Sequence, residues 1–195
     1  MSKLKKILVR ARRQVFSEMV GNNPSIFHGE GYDFIELREY MAGDDIRHID
    51  WNITAKMQKP FIKIFREERE LNVVVASVLN GSVHFGAKKF KQEVIAEVVA
   101  LLSFSTIKNG DLLSSYVFTD EMISHSKPSK KLNQVQKSVD EILSFDAINK
   151  KVDFKFIAET LFKRLRRKSV VIVVGDFFEL PDFKLLAKKH EVIAV

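Results

Sequence analysis

Three short apolar runs in the second two thirds of the chain limit its fold more than any other feature. Residues 71–79 (Leu-Asn-Val-Val-Val-Ala-Ser-Val-Leu), 112–119 and 169–175 (Ser-Val-Val-Ile-Val-Val-Gly) are each shorter than a helix needs to be. They are also too continuous for strands with one wet face, and such runs suit a parallel sheet buried on both faces. Between them apolar residues recur at helical spacing: Phe90, Val94, Val98, Leu101 and Leu102 within a helix expected from Phe85 to Ser105, then Leu132, Val135, Val139, Ile142 and Leu143, then Phe154, Ile157, Ala158, Leu161, Phe162 and Leu165. Asn109-Gly110-Asp111 supplies a turn. Residues 122–125 read as a short edge strand, 181–189 as a short helix and 191–195 as the start of a last strand. Strands alternating with helices predict an α/β fold with an open, mainly parallel, Rossmann-type sheet and right-handed crossovers.

Upstream the pattern differs. Leu4, Ile7, Leu8, Ala11, Val15 and Met19 predict an amphipathic N-terminal helix, ended by Gly21-Asn22-Asn23-Pro24-Ser25. Residues 34–40 and 61–65 read as strands. These readings divide the chain into 1–70, an N-terminal helix plus a small β-containing subdomain, and 71–195, the α/β domain.

Charge narrows the function classes. The formal net charge is +7, concentrated in Lys3, Lys5, Lys6, Arg10, Arg12 and Arg13, in a second knot from Lys163 to Lys168, and in Lys127, Lys130 and Lys131. On charge alone an anionic membrane or a nucleic acid is a conceivable partner. No recognition-helix pattern, aromatic ribonucleoprotein motif or zinc finger supports nucleic-acid binding, which is disfavoured. The basic first helix either lies peripherally on a membrane surface or docks on the protein's own core. No cysteine is present, and no apolar run approaches the roughly 18 residues of a membrane span. The expected location is cytoplasmic, with peripheral contact at the inner face of the membrane as the variant.

The stretch from 29 to 69 interleaves charges of both signs with aromatic and branched residues: Leu37-Arg38-Glu39-Tyr40, Gly43-Asp44-Asp45-Ile46-Arg47, Ile49-Asp50-Trp51. Gly43-Asp44-Asp45 reads as a turn, and Arg38 and Arg47 can fork onto Asp44, Asp50 or Glu39. Two functions compete for this stretch. In one, Arg38, Asp44, Arg47 and Asp50 form a partly buried network with Trp51 beneath it, so that Arg47→Ala lowers the unfolding midpoint substantially. In the other, Arg38, Tyr40, Gly43, Asp44, Arg47, Asp50 and Trp51 present a recognition surface.

The ungapped run from Arg38 to Trp51, followed by Ala55-Lys56, resembles the signature R-x-Y-x-x-G-D-x-x-R-x-I-D-W of the domain of unknown function 58 family. The resemblance implies a von Willebrand factor A-like sheet after the signature. It also implies relatives that often begin with two membrane-spanning helices and continue past the last strand here, so the C-terminal end is expected to be shortened. In von Willebrand factor A-like domains the loop after the first strand carries D-x-S-x-S, completed by a threonine and an aspartate from later loops into a metal-ion-dependent adhesion site. Here Val78 stands for the aspartate and Asn80 for the first serine; Ser82 remains, Asp153 and Lys155 stand where the threonine is expected, and Asp176 matches the late aspartate. One carboxylate with a hydroxyl and an amide is a poor shell for a hard dication. The expectation is a degenerate site holding no metal, with Asn80, Ser82 and Asp176 free to hydrogen-bond a partner.

The function expected is a non-enzymatic interaction module or adaptor with no cofactor. The resemblance implies a MoxR-type AAA+ ATPase as its partner, in assembly or maturation of other proteins. The alternatives are an uncharacterised hydrolase using Asp44, Asp50 or His48, and an anionic membrane-surface binder. No nucleophile elbow, Walker loop or metal-ligand spacing supports the enzyme. Ser82 and His84 are too close in sequence to suggest a dyad.

Overall fold

The computed structural model describes residues 2–17, 32–67, 70–179 and 181–195. The expected break at 21–25, His28 and the start of the signature stretch at 29–31 lie outside the described residues. The chain forms two compact units, Met1–Asn23 with Glu70–Val195, and Pro24–Arg69. In chain order the elements are α1 (Lys3–Ser17), β1 (Tyr32–Glu39), α2 (Trp51–Met57), β2 (Phe61–Glu67), β3 (Asn72–Val78), α3 (Lys91–Lys108), β4 (Leu112–Phe118), β5 (Met122–His125), α4 (Leu132–Ser144), α5 (Phe154–Arg164), β6 (Val170–Gly175), α6 (Lys184–Ala187) and β7 (Glu191–Ala194).

The larger unit is a five-stranded sheet in the order β5-β4-β3-β6-β7. β3 pairs in parallel with both β4 and β6, and β6 pairs in parallel with β7. β5 alone runs antiparallel, against β4. The period of two decides which side chain enters which core. Val73 and Val75 join α3 and α4 on one face, whereas Val74, Ala76 and Val78 join α5 and α6 on the other. Both faces are therefore covered, which is why the valine runs carry no polar alternation.

A further layer sits on α3. Ile7 and Ala11 of α1 are buried in the same core as Ile95, Ala96, Val99 and Ala100 of α3. The first helix thus packs with the sheet unit, and its apolar stripe is spent on α3. Gln92, buried at the start of α3, donates to the carbonyls of Ile142 at 2.6 Å and Phe145 at 2.7 Å. It thereby satisfies acceptors at the end of α4 that the helix leaves unpaired.

β3 leads through α3 to β4 on one side, and β6 leads through α6 to β7 on the other. Two adjacent parallel strands whose connections leave in opposite directions open a crevice at their carboxyl ends. The loops after Val78 and after Gly175 therefore meet.

His190, between α6 and β7, is 4% exposed, and neither ring nitrogen has a hydrogen-bond partner among the described residues. Burial, and secondarily the Lys189 ammonium, hold its pKa below the usual histidine value. Between the folded value and the unfolded value of about 6.5 the unfolded chain binds more protons, so stability falls as pH falls. Urea melts between pH 7.5 and 5 are expected to show that loss, and His190→Leu to flatten it; an unchanged slope in the variant contradicts the assignment.

Candidate functional site

At the carboxyl ends of β3 and β6 three oxygens converge. Asn80 adopts an extended backbone before the short 3-10 turn Gly81–His84 and caps it, its Oδ1 accepting the Ser82 N–H at 3.1 Å. The Ser82 Oγ then lies 2.5 Å from Asn80 Oδ1 and 2.8 Å from Asp176 Oδ2. One hydroxyl proton faces two acceptors, so the cluster needs a further donor. Lys91, the first residue of α3, supplies it, with Nζ 2.5 Å from Asp176 Oδ2. Burial raises the Asp176 pKa, but the Lys91 ammonium and the Ser82 hydroxyl outweigh it, leaving the carboxylate below its ordinary range.

The structure brings the three expected residues, Asn80, Ser82 and Asp176, into one place and adds Lys91. Nothing in the spacing near Ser82 singled out that lysine; it reaches the site because residues 85–90 fold back. An ammonium 2.5 Å from the only carboxylate in the set stands where a dication would need open ligands. The donor set does not fit magnesium. Among the described residues no group of three or more His, Cys, Asp or Glu side chains is placed to hold a metal.

The smaller unit pairs β1 antiparallel to β2, with a bulge between Phe34 and Glu36. The connection between the strands carries the signature. Gly43 has φ +107°, the left-handed region that glycine tolerates, and closes a turn in which Asp44 N–H donates to the Met41 carbonyl at 3.0 Å. Arg38 forks onto Asp44 at 2.9 and 2.7 Å, and the Met41 N–H adds a third bond at 2.8 Å. The guanidinium first, and then that N–H, hold the Asp44 carboxyl below its usual range. Tyr40 is half-buried and ties the turn to β2 through its N–H on the Pro60 carbonyl at 2.8 Å.

Asp50 caps α2, accepting from the N–H groups of Asn52 at 2.9 Å and Ile53 at 3.1 Å, and pairs with Lys63 on β2 at 2.9 Å. Lys63 foremost, and then the Ile53 N–H, lower its pKa.

Two parts of the expected network are corrected. Arg47 does not fork onto Asp44 or Asp50. It folds onto its near neighbour Asp45, with Nη2 2.6 Å from Oδ2, because an arginine two residues downstream of a 3-10 cap reaches that carboxylate first. The Arg47 side chain is 84% exposed. Trp51 is not packed beneath the charges: as the first residue of α2 it points outward and is 69% exposed. The pairs are separate clips, Arg38–Asp44 and Asp50–Lys63, and not one lattice. Within residues 36–64 only Asp50 and Ile62 are buried, while Met41, Ile46, Trp51 and Met57 are exposed.

A cleft of about 710 Å³ lies beside the switch point, between α5 and α6. Three of its carboxylates already have local duties: Asp153 caps α5, Asp182 accepts the Lys184 N–H at 3.0 Å and Glu159 pairs with Lys163 at 3.5 Å.

With Lys91 in place, calorimetric titration with magnesium or manganese is expected to show no binding below about millimolar concentration, corresponding to less than about 4 kcal/mol of affinity. A one-to-one isotherm in the micromolar range contradicts the reading of this site.

The chain is 21% identical over 200 residues to an uncharacterised protein of Mycobacterium tuberculosis (strain ATCC 25618 / H37Rv), covering 98% of this chain and 63% of that protein. The same identity and coverage hold for uncharacterised proteins of Mycobacterium bovis and of a second Mycobacterium tuberculosis strain, CDC 1551 / Oshkosh. The chain thus spans 63% of the length of these curated relatives. Residues 36–195 match the family described as protein of unknown function DUF58, a match that takes in both the signature turn and the sheet, and the chain belongs to that family.

Proposed function

We propose that this chain is a non-enzymatic protein-interaction module whose docking face is the signature turn together with α2. One observation carries the reading: a unit whose described residues bury little beyond Asp50 and Ile62 exposes Met41, Ile46, Trp51 and Met57, with Trp51 at 69%. Exposed apolar residues rimmed by charge mark interaction surfaces, and Trp, Met and Arg are the residue types enriched at them. The clips Arg38–Asp44 and Asp50–Lys63 hold that face in shape before any partner arrives, which lowers the ordering cost of binding. The resemblance to DUF58 proteins supports a MoxR-type AAA+ ATPase as the partner class, and a von Willebrand factor A-like identity for the mostly parallel sheet.

The hydrolase alternative draws no support from the same geometry. Asp44 and Asp50 are both bonded to cations and N–H groups and both have lowered pKa values, the opposite of what a general base working near neutral pH needs. The membrane alternative loses the apolar stripe of α1 to the core. Among the described residues no helix is long and apolar enough to cross a membrane.

Trp51→Ala and Arg47→Ala are expected to leave the denaturant midpoint unchanged, because both side chains are exposed. In a pull-down from the native cell, run with and without nucleotide, each is expected to lose most of an ATPase that the unaltered chain retains. A lowered midpoint with the partner retained restores the structural reading and overturns this one.

A further inference from the structure

Helix α1 has an outward face that neither the strand-end cluster nor the signature uses. Its sequence holds six lysines and arginines and no acidic residue. Its inward side is spent: Leu4, Ile7, Leu8, Ala11 and Val15 pack into the core with α3. On the opposite side, at about 100° per residue, Lys5 and Arg12 form one row and Lys6 and Arg13 a second, with Arg10 beside the second row. All five are exposed, and none of them is in an ion pair among the described residues. Only Lys3, outside the two rows, is taken up, by Glu93 at 2.8 Å.

Between the rows run two apolar side chains, Val9, half-buried, and Phe16, 42% exposed. The Phe16 ring lies 5.9 Å from the Arg12 guanidinium and 5.7 Å from the Lys108 ammonium. The face is thus a narrow apolar midline with cations on either flank. It is fixed in place as well: the Ser2 Oγ accepts the Lys5 N–H at 3.3 Å at one end, and Lys108 donates to the Val15 carbonyl at 2.6 Å at the other. Rows of free cations on a rigid helix call for an extended anionic surface. A nucleic-acid duplex offers phosphates but nothing for Val9 and Phe16, and the rows and their midline hold no hydroxyl or amide to read a base edge. An anionic bilayer takes basic side chains at its headgroups and apolar ones just beneath them.

We propose that the outward face of α1 adsorbs to an anionic phospholipid surface, with Lys5, Lys6, Arg12 and Arg13 on the headgroups and Phe16 dipping between them. Because the inward stripe is packed on α3, the helix stays docked on the protein and lies on the surface without inserting. The contact is therefore electrostatic, reversible and weakened by salt. It is independent of the signature face and of any protein bound there.

Co-sedimentation of the full chain with vesicles tests this. Binding is expected to phosphatidylcholine vesicles containing about a third phosphatidylserine, not to phosphatidylcholine alone, and to disappear near 1 M salt, where the Debye length is about 3 Å. Lys6→Gln/Arg13→Gln, first shown to melt like the unaltered chain, is expected to weaken it about tenfold or more. Arg166→Gln/Arg167→Gln, which removes the same charge from exposed residues elsewhere, is expected to leave it nearly unchanged. In a Trp51→Phe background, which removes the chain's one tryptophan, Phe16→Trp is expected to shift its emission to the blue on the phosphatidylserine vesicles alone. No binding at low salt, equal loss in the two glutamine pairs, or an unshifted emission from sedimented protein overturns the proposal. So does binding of duplex DNA that survives physiological salt and is lost in Lys6→Gln/Arg13→Gln while vesicles stay unbound. Trp51→Ala is expected to bind vesicles normally, so failure here and failure of the signature surface are separately visible.

Discussion

Strand β3 has hydrogen-bonded parallel neighbours on both edges and helices on both faces, and Val75 and Ala76 at its heart are fully buried. A strand so enclosed cannot slip by one residue without driving its two sets of valines into the wrong layers. That constraint fixes where the chain emerges after Val78, and the parallel pairing of β6 fixes where it emerges after Gly175. The meeting of Asn80, Ser82 and Asp176, separated by nearly a hundred residues, is a consequence of register. Gly175 belongs to the same constraint: a Cβ there would lie 3.0 Å from that of Val78, so the two strand ends approach as closely as a glycine allows.

The two units use opposite means to hold their shape. The sheet unit relies on buried area, with two continuous apolar clusters. The signature unit, whose described part buries little beyond Ile62, relies on directed bonds: a bidentate arginine, a helix cap and a glycine turn. Directed bonds order a backbone while leaving its apolar side chains outside. A unit built this way is suited to presenting Trp51 and Ile46, whereas a core-forming unit would have consumed them.

Much of this was legible in the residues. The valine runs and helical spacings located every strand and helix of the sheet unit to within a few residues, the exceptions being the start of α3, which the fold-back of residues 85–90 delays to Lys91, and the shorter α6. Burial on both faces leaves a periodic trace, and that trace is what sequence carries well. The side-chain partners were less accessible. Arg38–Asp44 was among the anticipated pairs, but Arg47 had several carboxylates within chain reach, and only the 3-10 geometry selects Asp45. Trp51 looked like core because tryptophan usually is; its place as the first residue of a short exposed helix decides otherwise. Lys91 was invisible because a loop of six residues, not a periodicity, carries it to Asp176.

The account rests on the signature face meeting another protein. A photo-crosslinking amino acid placed at position 51 in the native cell tests this most directly, with position 62 as the buried control. The account predicts a crosslink from position 51 to a separate protein, identified by mass spectrometry as an AAA+ ATPase, and none from position 62. Crosslinks from position 51 that stay within this chain would contradict it, because Trp51 would then serve the protein's own packing.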